Sequence, residues 1–125
     1  MTRLGFYLAR TLRNEKALAG LGLPMAFVLN EMQGNLALVG NAQSLGTTAH
    51  GAALDAANLV IRLNRAPMPT ARSHGTRTDV LACATALKPT HLHQLNPKFL
   101  LWMSPKRKRL SWAMATQKGF ALPPL

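Results

Sequence analysis

Only one cysteine, Cys83, occurs in the 125 residues. An internal disulfide framework and a multi-cysteine zinc site are therefore excluded. Acids are nearly as scarce: Glu15, Glu31, Asp55 and Asp79 are the whole set. Long apolar runs are missing too. The stretch of about 18 apolar residues that a membrane-crossing helix needs is absent. The most apolar early segment, residues 17–29, is broken by Gly20, Gly22 and Pro24. No Gly-Lys-Ser/Thr is present, so there is no Walker loop, and Gly-x-Gly-x-x-Gly is absent as well. With no acid placed for a ribose after the second predicted strand, a dinucleotide-dependent oxidoreductase is set aside.

What is present is base and apolar bulk. Fifteen Lys and Arg against four acids give a net charge of +11, and 48% of residues are hydrophobic. That apolar fraction is too high for a disordered basic tail. The charge favours anionic partners. Its densest run is residues 106–109 (KRKR), expected as a solvated helix face. Only Trp102 and Trp112 flank it, and no aromatic–basic interleaving offers a stacking platform, so nucleic acid is not an expected partner. A basic α/β module binding nucleic acid or anionic membrane is nevertheless the competing reading of the charge.

The chain alternates between two periodicities. Residues 1–34 read as a helical segment: a basic amphipathic helix with Leu4, Leu8 and Leu12 at helical spacing, a Gly/Pro break, then a shorter helix. Packing on the domain, or peripheral contact with a membrane surface, would occupy that apolar face. Residues 35–41 (NLALVGN), 58–64 (NLVIRLN), 79–85 (DVLACAT) and 98–103 (KFLLWM) are short apolar runs bounded by turn residues, and predict strands. Residues 47–57 predict a helix capped by Thr47 or Thr48, with Ala49, Ala52, Ala53 and Ala56 as a small-residue face. Residues 65–76 predict a loop, and 86–97 a short helix. Ser104-Pro105 predicts the start of a last helix running to about Lys118, with the basic run opposing its dipole. The pattern argues for an α/β domain over residues 35–125 with a largely parallel sheet.

In such sheets ligands bind beyond the carboxyl ends of the strands. Gly40, Asn41, Ala42, Gln43 and Ser44 follow the first strand, and Asn64 and Arg65 follow the second. Gly40 lets backbone approach a ligand, and the two carboxamides can donate to phosphate or sugar oxygens. Gly46 precedes a helix whose first N–H groups are free for an anion.

Four pieces in order complete the reading: Leu38-Val39-Gly40-Asn41, Gly51-Ala52-Ala53-Leu54-Asp55, Val60-Ile61-Arg62-Leu63-Asn64-Arg65-Ala66-Pro67 and Gly75-Thr76-Arg77-Thr78. Across residues 36–78 this set resembles the large sialylmotif of the animal-type sialyltransferases, glycosyltransferase family 29, which also has bacterial members. The resemblance implies a Rossmann-like parallel sheet flanked by helices, the N-terminal half of a variant GT-A-like fold. It implies inverting transfer of sialic acid or a related acid sugar from a CMP-sugar donor to a glycan acceptor, without metal or other cofactor. It places donor contacts at Gly40, Asn41, Ala42, Gln43, Ser44 and Asn64, with Arg62, Arg65, Thr76 and Arg77 in support. Arg62, Arg65 and Arg77 are expected around the anionic donor.

Two departures qualify the match. The cysteine that opens the motif in animal members is absent from Asn35-Leu36-Ala37-Leu38. That suits a bacterial-type member in the reducing cytoplasm, at most peripheral to the inner membrane. The small motif and the later motif with the catalytic His are not recognisable, so the chain is expected to be a donor-binding portion, inactive alone, with the acceptor site mostly outside it. His50, His74, His91 and His93 are each read as structural, and no catalytic or metal-binding residue is assigned.

Overall fold

Each short apolar run becomes a strand, and all pair in parallel. The computed structural model describes residues 1–125. The strands are β1 (Leu36–Val39), β2 (Leu59–Leu63), β3 (Val80–Cys83), β4 (Phe99–Trp102) and β5 (Phe120–Ala121), in spatial order 1-2-3-4-5. Register runs from Leu36 opposite Leu59, through Ile61 opposite Val80 and Val80 opposite Phe99, to Leu100 opposite Phe120. The fold is α/β and Rossmann-like.

Helices α1 (Arg3–Thr11), α2 (Glu15–Ala19) and α3 (Met25–Glu31) precede the sheet, and α4 (Gly51–Asp55), α5 (Ala71–His74), α6 (Pro89–Leu95) and α7 (Trp112–Ala115) connect its strands. Sequential parallel strands joined by right-handed crossovers carry their connections on one face. The core agrees. Leu92 of α6 and Met114 and Ala115 of α7 pack with Leu81, Leu100 and Trp102, and Phe6, Ala9 and Leu18 from α1 and α2 join them. The other face holds Val80, Phe99, Leu101 and Ala121 beneath Val28 of α3. β4 buries all four residues, as a central parallel strand must. β1 lies at the open edge and buries only Val39, leaving Leu36 and Leu38 exposed. No helix is long and apolar enough to cross a membrane.

Three local expectations are corrected. The helix expected over residues 47–57 is a 3₁₀ turn at Gln43–Thr47 followed by the five-residue α4. Thr47 and Thr48 do not cap α4; their hydroxyls donate backwards to the carbonyls of Ser44 and Leu45. The loop expected over residues 65–76 contains α5, capped by Thr70, whose hydroxyl accepts from the Ser73 N–H, and ended by Gly75 at φ 71°. The single helix expected from Ser104 is a 3₁₀ turn at Arg107–Arg109 and then α7, capped by Ser111. Consequently the basic run does not sit in a helical first turn, and Arg107 is buried.

Candidate functional site

Parallel pairing puts the carboxyl ends of all strands on one edge. There the two asparagines stitch neighbouring strands together. Asn41 Nδ2 donates to the Leu63 carbonyl at 3.1 Å, tying the end of β1 to β2. Asn64 Oδ1 accepts from the Ala84 N–H at 2.8 Å, tying β2 to β3. Asn64 has φ 52°, a left-handed conformation that asparagine tolerates better than most residues. These bonds also orient the carboxamides. A carbonyl partner demands the NH₂ of Asn41, and an N–H partner demands the oxygen of Asn64. Asn41 therefore keeps an acceptor, Oδ1, and Asn64 keeps a donor, Nδ2, for something outside the fold.

The loop after β1 is open. A Cβ built on Gly40 meets nothing within 4 Å, and the same holds at Gly46. A shallow cavity of about 390 Å³ lies here, lined by Gly40, Ala42, Ser44, Leu45, Thr48 and His50. Gln43 begins the 3₁₀ turn beside it. At five residues, α4 is too short to focus a useful dipole, so the expected helical anion site is replaced by this turn. His50 was missed as a lining residue: a longer helix puts it mid-turn, whereas the late start of α4 leaves it at the cavity. Arg65 follows Asn64 on the same edge and is exposed; its carbonyl accepts from His91 Nε2 at 2.7 Å.

The other supporting residues go elsewhere. Arg62 is 1% exposed and points into the fold. Its Nε donates to the Arg77 carbonyl at 2.8 Å and to Thr78 Oγ1 at 3.1 Å, and its Nη2 to the His74 carbonyl at 2.6 Å. Burial pulls the guanidinium below its ordinary value, and the charges of Asp55 and Asp79 oppose that. Thr76 and Arg77 lie at the opposite, amino edge. Arg77 donates to the carbonyls of Asp55, Ala57 and Asn58, closing the end of α4 and the entry to β2, and pairs with Asp79 at 2.8 Å. Arg62, Thr76 and Arg77 thus hold β2 in place and do not line the Gly40 cavity. Of the three arginines expected there, only Arg65 reaches that edge.

Asp55 completes this knot. Its carboxylate accepts from the N–H and hydroxyl of Thr76 and from the N–H of Arg77. The Thr76 N–H, foremost, holds its carboxyl below the ordinary carboxylate range. A folded value below the unfolded one gives stability that is present above the unfolded value, about pH 4. That stability is lost as pH falls through the folded value. Asp55→Asn is expected to lower the melting temperature at neutral pH and to flatten the acid limb below about pH 4. Melting curves across that range check this; an acid limb as steep as in the parent contradicts it.

Two other titratable groups, His74 and Cys83, are buried. His74 Nδ1 lies 2.7 Å from Ser73 Oγ. Burial pushes the Cys83 thiol up to about 12, so it is no thiolate nucleophile. Trp102 is 1% exposed and Trp112 packs on Phe6 with ring centroids 5.5 Å apart, so neither is free for base stacking.

The sequence model of glycosyltransferase family 29 (sialyltransferase) matches residues 30–120. The chain belongs to glycosyltransferase family 29. No curated protein and no solved structure matches it. The family 29 match runs from the end of α3 to the start of β5, so it includes both asparagine-bearing turns. It leaves α1 and α2 outside, although their Phe6 and Leu18 are fully buried against the family 29 sheet.

Proposed function

We propose that the family 29 residues of this chain hold a CMP-linked acid sugar, sialic acid or a relative, for inverting transfer to a glycan acceptor. The observation that carries this reading is the carboxyl edge of β1 and β2. There an open Gly40, a spare acceptor on Asn41, a spare donor on Asn64 and an exposed Arg65 stand together. A departing nucleotide gathers negative charge on its phosphate, and prearranged donors stabilise that charge. Asn64 Nδ2, Arg65 and the N–H groups of Gln43 and Ser44 at the start of the 3₁₀ turn suit that task. Asn41 Oδ1 suits a ribose or base donor group. Ala42, Gln43 and Ser44 would line the nucleotide.

Transfer also needs a base for the acceptor hydroxyl. Of the four histidines only His50 borders the cavity, and no carboxylate orients its ring. We therefore assign donor binding, not completed transfer, to these residues.

Gly40→Val separates binding from folding, because the added atoms enter open space. Calorimetric titration with CMP is expected to show binding to the parent chain and at least roughly tenfold weaker binding to Gly40→Val, with the melting temperature unchanged. Equal affinity in the two proteins would remove the Gly40 edge from the donor site.

A further inference from the structure

The basic run that the donor site leaves unexplained builds a second concavity. A cavity of about 660 Å³ lies between the α1–α2 junction and residues 105–109, lined chiefly by Arg10, Arg13, Glu15 and residues 105–109. Its one internal acid is already taken. Glu15 accepts from Nε and Nη2 of Arg107 at 2.9–3.1 Å. Arg107 is 6% exposed and also donates to the carbonyls of Ser104 and Pro123. Arg10 donates to the Leu110 carbonyl at 2.9 Å, fastening α1 to the same loop. These bonds make a rigid frame. Around it Arg13, Lys106, Lys108 and Arg109 are exposed, and none of them forms an ion pair. Leu125 also borders the cavity.

Like charges around one concavity repel each other, and an anion bound among them would relieve that repulsion. Arg13 stands at a turn in a strained backbone conformation. Its φ is 54°, the left-handed region where glycine sits without strain and a side chain does not. The cavity volume is in the range of small-ligand sites, and no aromatic side chain lines it, which disfavours stacked nucleic acid bases.

We propose that this cavity binds a phosphate-bearing ligand, as a site distinct from the Gly40 edge. The phosphate belongs either to a small soluble molecule or to an anionic lipid headgroup, and the test separates the two. Inorganic pyrophosphate is titrated into the full chain by calorimetry at low salt. In parallel, the chain is sedimented with phosphatidylglycerol-containing vesicles and with neutral phosphatidylcholine vesicles. Arg13→Gly relieves backbone strain, so it folds at least as well as the parent. It is nevertheless expected to bind roughly tenfold more weakly, because one charged contact is gone. Lys106→Gln/Lys108→Gln is expected to do the same. Loss in the pyrophosphate arm assigns a soluble ligand. Loss in the vesicle arm, with pyrophosphate competing, assigns a headgroup. The proposal is overturned if neither arm shows binding, if these variants bind as the parent does, or if Gly40→Val abolishes pyrophosphate binding.

Discussion

Replacing Arg62 by Met is expected to cost about 3–5 kcal/mol of folding stability. Met keeps much of the side-chain length and is apolar, so the volume stays filled and the loss reports the polar contacts. Three acceptors lose their donor: the carbonyls of His74 and Arg77 and the hydroxyl of Thr78. Each lies on the segment from α5 to β3, and the single guanidinium is what gathers them against β2. A buried acceptor left without a partner loses about 1–3 kcal/mol, which over three acceptors reaches the stated range. The change also removes the charge opposite Asp55 and Asp79. Urea denaturation of the two proteins measures it. A loss below about 1 kcal/mol, the ordinary size of a surface change, would mean that Arg62 does not organise this segment.

Gly51→Ala is the second large effect, and its sign is the informative part. In an open helix this change stabilises by about 1 kcal/mol. Here the new Cβ would overlap the Ala71 carbonyl oxygen and lie 2.7 Å from the Arg72 carbonyl oxygen and 2.8 Å from the Gly75 nitrogen. All three are backbone atoms of α5 or its end, so no side chain can swing aside. α4 must separate from α5, breaking the Asp55 bonds to Thr76 and Arg77 on the way. Forced overpacking of this kind costs about 3 kcal/mol or more. Gly46→Ala is the internal control, since its Cβ meets nothing within 4 Å and stability should stay within about 0.5 kcal/mol. Thermal melts of both variants decide it. A stabilised Gly51→Ala would show that the two short helices are not in contact.

The strands were legible because each is a short run of branched or large apolar residues closed by Asn, Gly, Thr or Pro, and a buried parallel strand has no other pattern to show. β5 was not, since two residues carry no periodicity. Ser104-Pro105 looks like a helix start, yet Ser104 Oγ accepts from the Lys106 N–H in a tight turn, and the helix begins at Ser111 instead. Sequence placed Arg62 in a strand but could not show that it turns inward. Its acceptors lie 12–16 residues away, and two of the three are backbone oxygens with no sequence signature. The Glu15–Arg107 pair spans 92 positions and left no local trace either. At the candidate site, Gly40, Asn41 and Asn64 were legible from the strand-end rule together with the ordered resemblance. Their committed and spare carboxamide atoms were not, because those depend on the register of β1, β2 and β3. His50 was hidden by the wrong start of α4.

The nucleotide is proposed to sit on the carboxyl edge of β1 and β2. Amide chemical-shift mapping of the whole chain during CMP titration tests it most directly. Saturable shifts are expected at residues 40–48, Asn64 and Arg65, with the amino-edge amides of Thr76 and Arg77 unmoved. Shifts confined to residues 105–109, or none at millimolar CMP, would contradict it.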